Sequence, residues 1–134
     1  MRRILFICFI GLVGIGIVKG QDHDRFKKIE AAKIAYITKE LELTPKEAER
    51  FFPLYNQYHR EMRLLMDRKH SKDNRKGEIE SDAEIVALKK RYREEFVPII
   101  NPQRASRFFE VEREFREELM KVIRQRRKNE NPEL

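Results

Sequence analysis

The stretch LTPKEAERFF, residues Leu43–Phe52, decides the fold because it returns as INPQRASRFF, residues Ile100–Phe109. The two copies lie 57 residues apart and share their proline, alanine, arginine and both phenylalanines. Thr44 or Asn101 can cap a helix with its side-chain oxygen, and a proline at the first helical position loses no hydrogen bond. Each copy therefore predicts the start of a helix, and the pair predicts two equivalent helical hairpins.

Apolar residues recur at helical spacing along the chain after residue 20, and no stretch alternates as a strand would. This spacing predicts an all-α fold with four helices, over residues 24–41, 45–69, 81–97 and 102–128. The third helix is expected to open with a capping box at Ser81 and Glu84 and to stop near Pro98, while Pro53 should kink the second. A charged segment with little apolar content, residues 67–80, reads as a loop between the two hairpins.

Each Phe pair of the repeat is expected to divide between the core and a second surface. Neighbouring helical residues point about 100° apart, so both cannot face inward. The seam of each helix favours Phe51 and Phe108 for the core, which leaves Phe52 and Phe109 for a dimer partner or a bound protein. The core seams are expected to contain Phe26, Ile29, Tyr36 and Ile37 in the first helix (with Lys33 interrupting), Ala48, Phe51, Tyr55, Tyr58, Met62 and Leu65 in the second, Ile85, Leu88, Tyr92 and Phe96 in the third, and Ala105, Phe108, Val111, Phe115, Leu119 and Val122 in the fourth.

The first twenty residues resemble a secretory signal peptide. Arg2 and Arg3 precede the apolar run Ile4–Val18, and the small residue Gly20 stands before the expected cleavage point. The alternative is a retained N-terminal anchor, which the short, glycine-rich run disfavours. The predicted organisation is a signal peptide over residues 1–20 and one exported domain over residues 21–134, which contains no cysteine.

Removal of the predicted signal peptide lowers the net positive charge of the chain. The full chain carries 30 basic and 23 acidic residues and a net charge of +7. Removing Arg2, Arg3 and Lys19 leaves a net charge of +4, with acidic residues interleaved among the basic ones. A modest surplus on an exported chain argues against nucleic acid as a partner.

The sequence gives little support for catalysis, and it contains one candidate metal site. No nucleophile and base can be placed together, there is no glycine-rich phosphate loop, and the only cysteine lies in the apolar leader. His59, Met62 and Met66 follow one stripe of a helix, and imidazole with thioethers suits copper. Methionine is also a common filler of helix cores, so the sequence predicts core packing, with no cofactor and no metal, ahead of this site.

The repeated segment resembles the paired LTxxQ motif of the Spy/CpxP family of exported chaperone-like proteins, and residues 51–58 resemble its Bacteroidetes form. The motif's glutamine is Glu47 in the first copy and Arg104 in the second, and its threonine is Asn101 in the second. The resemblance implies a curved, cradle-like pair of helical hairpins that forms an antiparallel homodimer without ATP or catalysis. The positions that carry the motif are Leu43, Thr44, Pro45, Glu47, Ile100, Asn101, Pro102 and Arg104.

Two functions are consistent with this resemblance. The first is a periplasmic chaperone that binds unfolded or misfolded proteins. The alternative is a regulator of envelope stress, sigma-factor-linked or metal-sensing, that docks on a membrane sensor or an anti-sigma protein. One surface would serve either function, and its predicted residues are Phe52, Phe109, Tyr55, Arg50 and Arg107.

Overall fold

The structure is a computed structural model that describes residues 18–71 and 75–131, with side chains from residue 23 onward. Over these residues it contains four helices and no strand, so the predicted all-α class is confirmed. The predicted signal peptide lies outside the described residues, except that residues 18–20 open the first helix. The helices are α1 (Val18–Glu40), α2 (Pro45–His70), α3 (Glu78–Ile100) and α4 (Pro102–Glu130).

The two copies of the repeat cap the helices that they were expected to start. At α2, Thr44 Oγ1 accepts from the backbone N–H of Glu47 at 3.2 Å, and the Glu47 carboxylate accepts from the backbone N–H of Thr44 at 3.0 Å. At α4, Asn101 Oδ1 accepts from the backbone N–H of Arg104 at 3.0 Å. Each cap satisfies backbone donors that a helix leaves unpaired at its first turn.

A single residue, Asn101, joins α3 to α4. Its backbone N–H donates to the carbonyl of Val97 at 2.9 Å, which closes α3, while its side chain caps α4. Its φ of 77° lies in the left-handed region, which asparagine enters more readily than most residues. No further residue separates the two helices.

Two predictions for the ends of α3 are wrong. Helix α3 begins at Glu78, one turn before the expected capping box, and Ser81 is buried inside it. Glu78 and Glu80 suit a first turn because their charges complement the helix dipole. Helix α3 also continues past Pro98 to Ile100, and α2 is helical on both sides of the exposed Pro53.

Helices α2 and α3 form an antiparallel hairpin, and α4 packs against α3 and, on another side, against α1. Contacts between Phe51 and Phe96 and between Lys69 and Asp82 fix the hairpin direction. An aromatic core forms where the helices meet. Its fully or nearly buried apolar residues are Ile37, Leu41, Leu43, Phe51, Tyr55, Tyr58, Leu88, Tyr92, Phe96, Ile100, Ala105, Phe108 and Val111.

The expected seams extend further along α1 and α4 than the core does. Phe26 on α1 is 52% exposed and Val122 on α4 is 45% exposed, although both were predicted to face inward. Regular apolar spacing therefore continues along both helices beyond their buried positions.

Candidate functional site

The two copies of the repeat meet each other at the positions where the family motif has glutamine. The Arg104 guanidinium donates to both carboxylate oxygens of Glu47, through Nη1 to Oε1 at 3.1 Å and through Nη2 to Oε2. Both side chains are mostly buried. A two-pronged pair of this kind fixes orientation as well as distance, so the pair links the first turns of α2 and α4.

Arg104 also ties in the turn between α1 and α2. The same guanidinium nitrogen, Nη1, donates to the backbone carbonyls of Leu41 at 3.2 Å and Glu42 at 3.4 Å. Glu42 has a positive φ of 50°. One side chain therefore holds the start of α4, the start of α2 and the end of α1 together.

The electrostatics of Glu47 follow from these contacts. Hydrogen bonds from Arg104, followed by that from the Thr44 backbone N–H, lower the pKa of Glu47 to about 2, well below its ordinary value of 4.5. Glu47 is therefore charged throughout the neutral range. The cap of α2 and the bridge to α4 depend on the same carboxylate.

In each Phe pair one ring lies in the core and the other lies at the edge of the core. The two rings predicted to face inward do so. Phe51 and Phe108 are fully buried, with ring centroids 5.5 Å apart. Phe52 and Phe109 are half-buried at the edge of the core. Phe52 packs on Tyr55 and Phe109 on Tyr58, and the two outer rings do not contact each other.

The other predicted surface residues divide between the core and solvent. Tyr55 is only 1% exposed, so its assignment to the binding surface is wrong, because it fills the space between α2 and α4. Arg50 is exposed. Arg107 is exposed and lies 3.5 Å from the Glu40 carboxylate and 3.8 Å from that of Glu110. Of the five predicted residues, the structure leaves Phe52, Phe109, Arg50 and Arg107 accessible.

A buried charged cluster was missed by the sequence reasoning. The Glu112 carboxylate, 4% exposed, lies 2.6 Å from His59 Nε2 and 3.5 Å from Lys33 Nζ. Lys33 Nζ is also 3.2 Å from His59 Nε2 and lies over the Tyr55 ring. One signal was present in the sequence, since Lys33 and Glu112 each interrupt an apolar helix face.

The cluster shifts the pKa of its buried members. Burial alone raises the pKa of Glu112, but the hydrogen bond from His59 and the charges of His59, Lys33 and Arg116 outweigh it, and the net shift is downward. Burial raises the pKa of the Tyr55 hydroxyl, which has no hydrogen-bond partner. Glu112 therefore remains a buried anion, and Lys33 supplies a compensating cation.

The candidate metal site does not fit this geometry. His59 Nε2 is engaged by Glu112, and the Lys33 ammonium beside it would repel a cation. Met62 packs against the core, whereas Met66 is 41% exposed. Within residues 18–71 and 75–131, no three His, Cys, Asp or Glu side chains are grouped so as to hold a metal ion.

An open cleft of about 430 Å³ lies between α2 and α3, and Leu88 belongs both to its lining and to the core. The lining mixes leucine and alanine side chains with acidic and basic ones. Such a mixed lining fits an extended peptide better than a small rigid ligand. The cleft residues are Glu61, Leu64, Leu65, Arg68, Glu84, Ala87, Leu88 and Arg91.

Comparison with protein-family models, with curated proteins and with solved structures finds no match to this chain. In the part of the chain that the structure describes, no helix is both long and apolar enough to cross a membrane.

Proposed function

We propose that the chain is an exported, ATP-independent chaperone-like protein of the Spy/CpxP type that binds non-native proteins in the periplasm. The observation that carries the proposal is the number of large apolar side chains left open to solvent on all four helices. Non-native proteins expose apolar segments, and accessible apolar groups can bind them. The exposed residues are Phe26, Ile34, Leu64, Met66, Ile79, Val86, Met120 and Val122.

The α2–α3 cleft contains one of these exposed apolar side chains and lies beside another. Leu64, which is 62% exposed, lies on the cleft lining, and Val86 on α3 precedes the lining residues Ala87 and Leu88. Arg68 and Arg91 at the edges supply charges that keep a complex soluble. Apolar contacts surrounded by charged groups favour weak, adaptable binding over a single specific fit.

The arrangement of the helices supports a cradle-like shape. The α2–α3 hairpin and the antiparallel α1–α4 pair share the aromatic core and extend beyond it. Phe52 and Phe109 lie at the edge of that core. On this proposal, two copies join through part of the apolar surface and leave the remainder for a client protein.

The test is suppression of aggregation of a chemically denatured protein by residues 21–134. Stoichiometric amounts should suppress light scattering, and a variant that combines Phe52→Ala with Phe109→Ala should suppress it several-fold less. Phe26→Ala is the comparison variant, since Phe26 is one of the exposed apolar residues but does not lie in the Phe52/Phe109 pair. A smaller loss in this variant than in the Phe52/Phe109 variant supports the core edge as the main binding surface. Helicity and thermal stability of each variant are measured first, so that unfolding is not mistaken for lost binding.

Absence of suppression at both low and high salt would overturn the proposed function. Equal losses in the Phe52/Phe109 and Phe26 variants would overturn the assignment of the surface while leaving the activity itself intact.

A further inference from the structure

We propose that the end of the molecule formed by the C-terminal part of α4 and the N-terminal part of α1 binds the surface of an anionic lipid membrane. This surface, the basic end, comprises residues 119–128 of α4 and the facing part of α1 around Phe26. The proposal does not depend on the client binding proposed above, but it shares with that proposal the expectation that the chain is exported.

The α4 part of the basic end carries an excess of cations, whereas in the α1 part Asp24 and Glu30 accompany Arg25, Lys27 and Lys28. Five of the eight residues 121–128 are lysine or arginine, and none is acidic. Lys121 pairs with Glu118. The other four are exposed, and within the described residues none of them forms a salt bridge: Arg124, Arg126, Arg127 and Lys128.

A purely structural explanation covers only part of this charge. Cations in the last turn of a helix are favourable because they complement its dipole, and Arg127 and Lys128 lie there in α4. Arg124 and Arg126 precede that turn. At the far end of the α2–α3 hairpin, by contrast, two lysines are paired with acids, Lys69 with Asp82 and Lys76 with Glu84.

Apolar side chains stand among these cations. Met120 is 47% exposed and Val122 is 45% exposed. The contacts of Arg107 with Glu40 and of Phe115 with Tyr36 show that α1 and α4 run antiparallel.

The same register brings α1 to the basic end. Phe26 precedes Tyr36 by ten residues, so it lies level with the residues of α4 about ten positions beyond Phe115. Phe26 is 52% exposed. Cations mixed with accessible apolar and aromatic groups match a lipid surface, which presents phosphates above an acyl region.

The path of the chain favours a membrane over another polyanion. The apolar run Ile4–Val18 leads directly into α1 at this end of the molecule. If that run is a signal peptide, the basic end is the part of the fold nearest the bilayer when the chain is exported. A nucleic acid would match the cations but would leave the apolar side chains uncovered.

The experiment is co-sedimentation of residues 21–134 with lipid vesicles. This form keeps every side chain that the structure describes as buried, the first of which is Ile37. One set of vesicles contains phosphatidylcholine alone, and the other mixes it with phosphatidylglycerol. Binding is expected only to the anionic vesicles, and it should weaken as salt is added.

The decisive variant neutralises these four cations together, as Arg124→Gln, Arg126→Gln, Arg127→Gln and Lys128→Gln. Each cation near an anionic surface strengthens binding by about fivefold, so their joint loss should weaken it on the order of several hundredfold. The control removes the same charge elsewhere, from exposed residues that form no salt bridge with any residue that the structure describes: Lys46, Arg60, Arg63 and Lys90. This control should retain nearly all the binding.

A second variant tests the apolar part of the surface. Met120→Ser with Val122→Ser should weaken vesicle binding about tenfold and leave helicity unchanged. Failure of the unaltered chain to bind anionic vesicles would overturn the proposal, as would equal losses in the decisive and control variants. Binding to duplex DNA without binding to vesicles would replace the membrane with a nucleic acid.

Discussion

Glu47 and Arg104 occupy equivalent positions in the two copies of the repeat, and their opposite charges form an ion pair between the copies. A pair of glutamines at these positions could join the same two helix starts by neutral hydrogen bonds. The charged pair adds a dependence on pH, because the pKa of Glu47 is about 2 in the folded chain. A carboxyl group with a lowered folded-state pKa stabilises the fold above its unfolded-state pKa, and this stabilisation disappears as the pH falls through the folded value.

Glu47→Gln isolates this charge, since glutamine at the third helical position can still complete the capping box. We expect the variant to be less stable at neutral pH by about 1 kcal/mol, given the partial exposure of the pair. The deficit should shrink toward zero as the pH falls from about 4.5 to about 2. Urea unfolding followed by circular dichroism across this range measures the difference.

Glu49→Gln is the matched control for this prediction. Glu49 lies on the same helix, is exposed, and forms no salt bridge with any described residue. It should change stability little at any pH. A deficit in Glu47→Gln that persists unchanged at acidic pH would contradict the assigned role of the carboxylate.

At the scale of single elements, α1 depends on contacts along its C-terminal half. From residue 23 onward, where side chains are described, the first buried side chain of α1 is Ile37, and Lys33 reaches into the cluster with His59 and Glu112. Residues 23–28 are all exposed. Local stability is therefore expected to rise along α1 from its beginning toward Glu40.

A double-mutant cycle tests the pairing of Lys33 with Glu112. Removing one member of a buried ion pair leaves the other without compensation, so Lys33→Met and Glu112→Gln should each cost about 2 kcal/mol or more. The double variant should cost less than the two single losses together, with a coupling of about 1 kcal/mol. Chemical denaturation of the four proteins gives these values.

Hydrogen exchange adds a spatial readout to this cycle. Lys33→Met should raise exchange in α1 more than in α2 or α3, because Lys33 joins α1 to the rest of the molecule. Lys27→Met is the control on the same helix, since Lys27 is exposed and unpaired among the described residues. In the double-mutant cycle, additive losses of stability for Lys33→Met and Glu112→Gln would show that Lys33 and Glu112 do not act as a unit.

At the scale of the whole molecule, the core is narrow and much apolar surface remains open. Among the residues whose side chains the structure describes, the four long helices and the α1–α2 turn share thirteen buried apolar residues. Small domains have little stability to spare, and association is a common way to cover exposed apolar groups. Formation of the predicted homodimer is therefore expected to raise the stability of the fold.

If the chain forms a homodimer, its melting temperature should rise with protein concentration, because dilution favours the monomer. Calorimetry over a wide concentration range measures this rise, and light scattering after size separation gives the mass in solution. A constant melting temperature together with the mass of a single chain would show that the dimer prediction is wrong.

The sequence predicted those parts of the molecule that depend on local chemistry. The caps at Thr44 and Asn101 involve neighbouring residues, and the inward positions of Phe51 and Phe108 follow from the helical period. The Glu112 cluster joins three helices, so it could not be found without knowing which faces meet. Phe26 and Val122 were misplaced because spacing alone does not say how far along a helix its apolar face is buried.

The single-residue junction at Asn101 also bears on how chain length can vary among relatives. An insertion there would rotate α4 about its axis by roughly 100° per added residue. That rotation would turn Phe108 out of the core and separate Arg104 from Glu47. Insertions between α2 and α3 have no such effect, because that connection lies at the opposite end of the hairpin. Homologous sequences are therefore expected to gain and lose residues around position 75 and to keep the spacing from Phe96 to Phe108 constant.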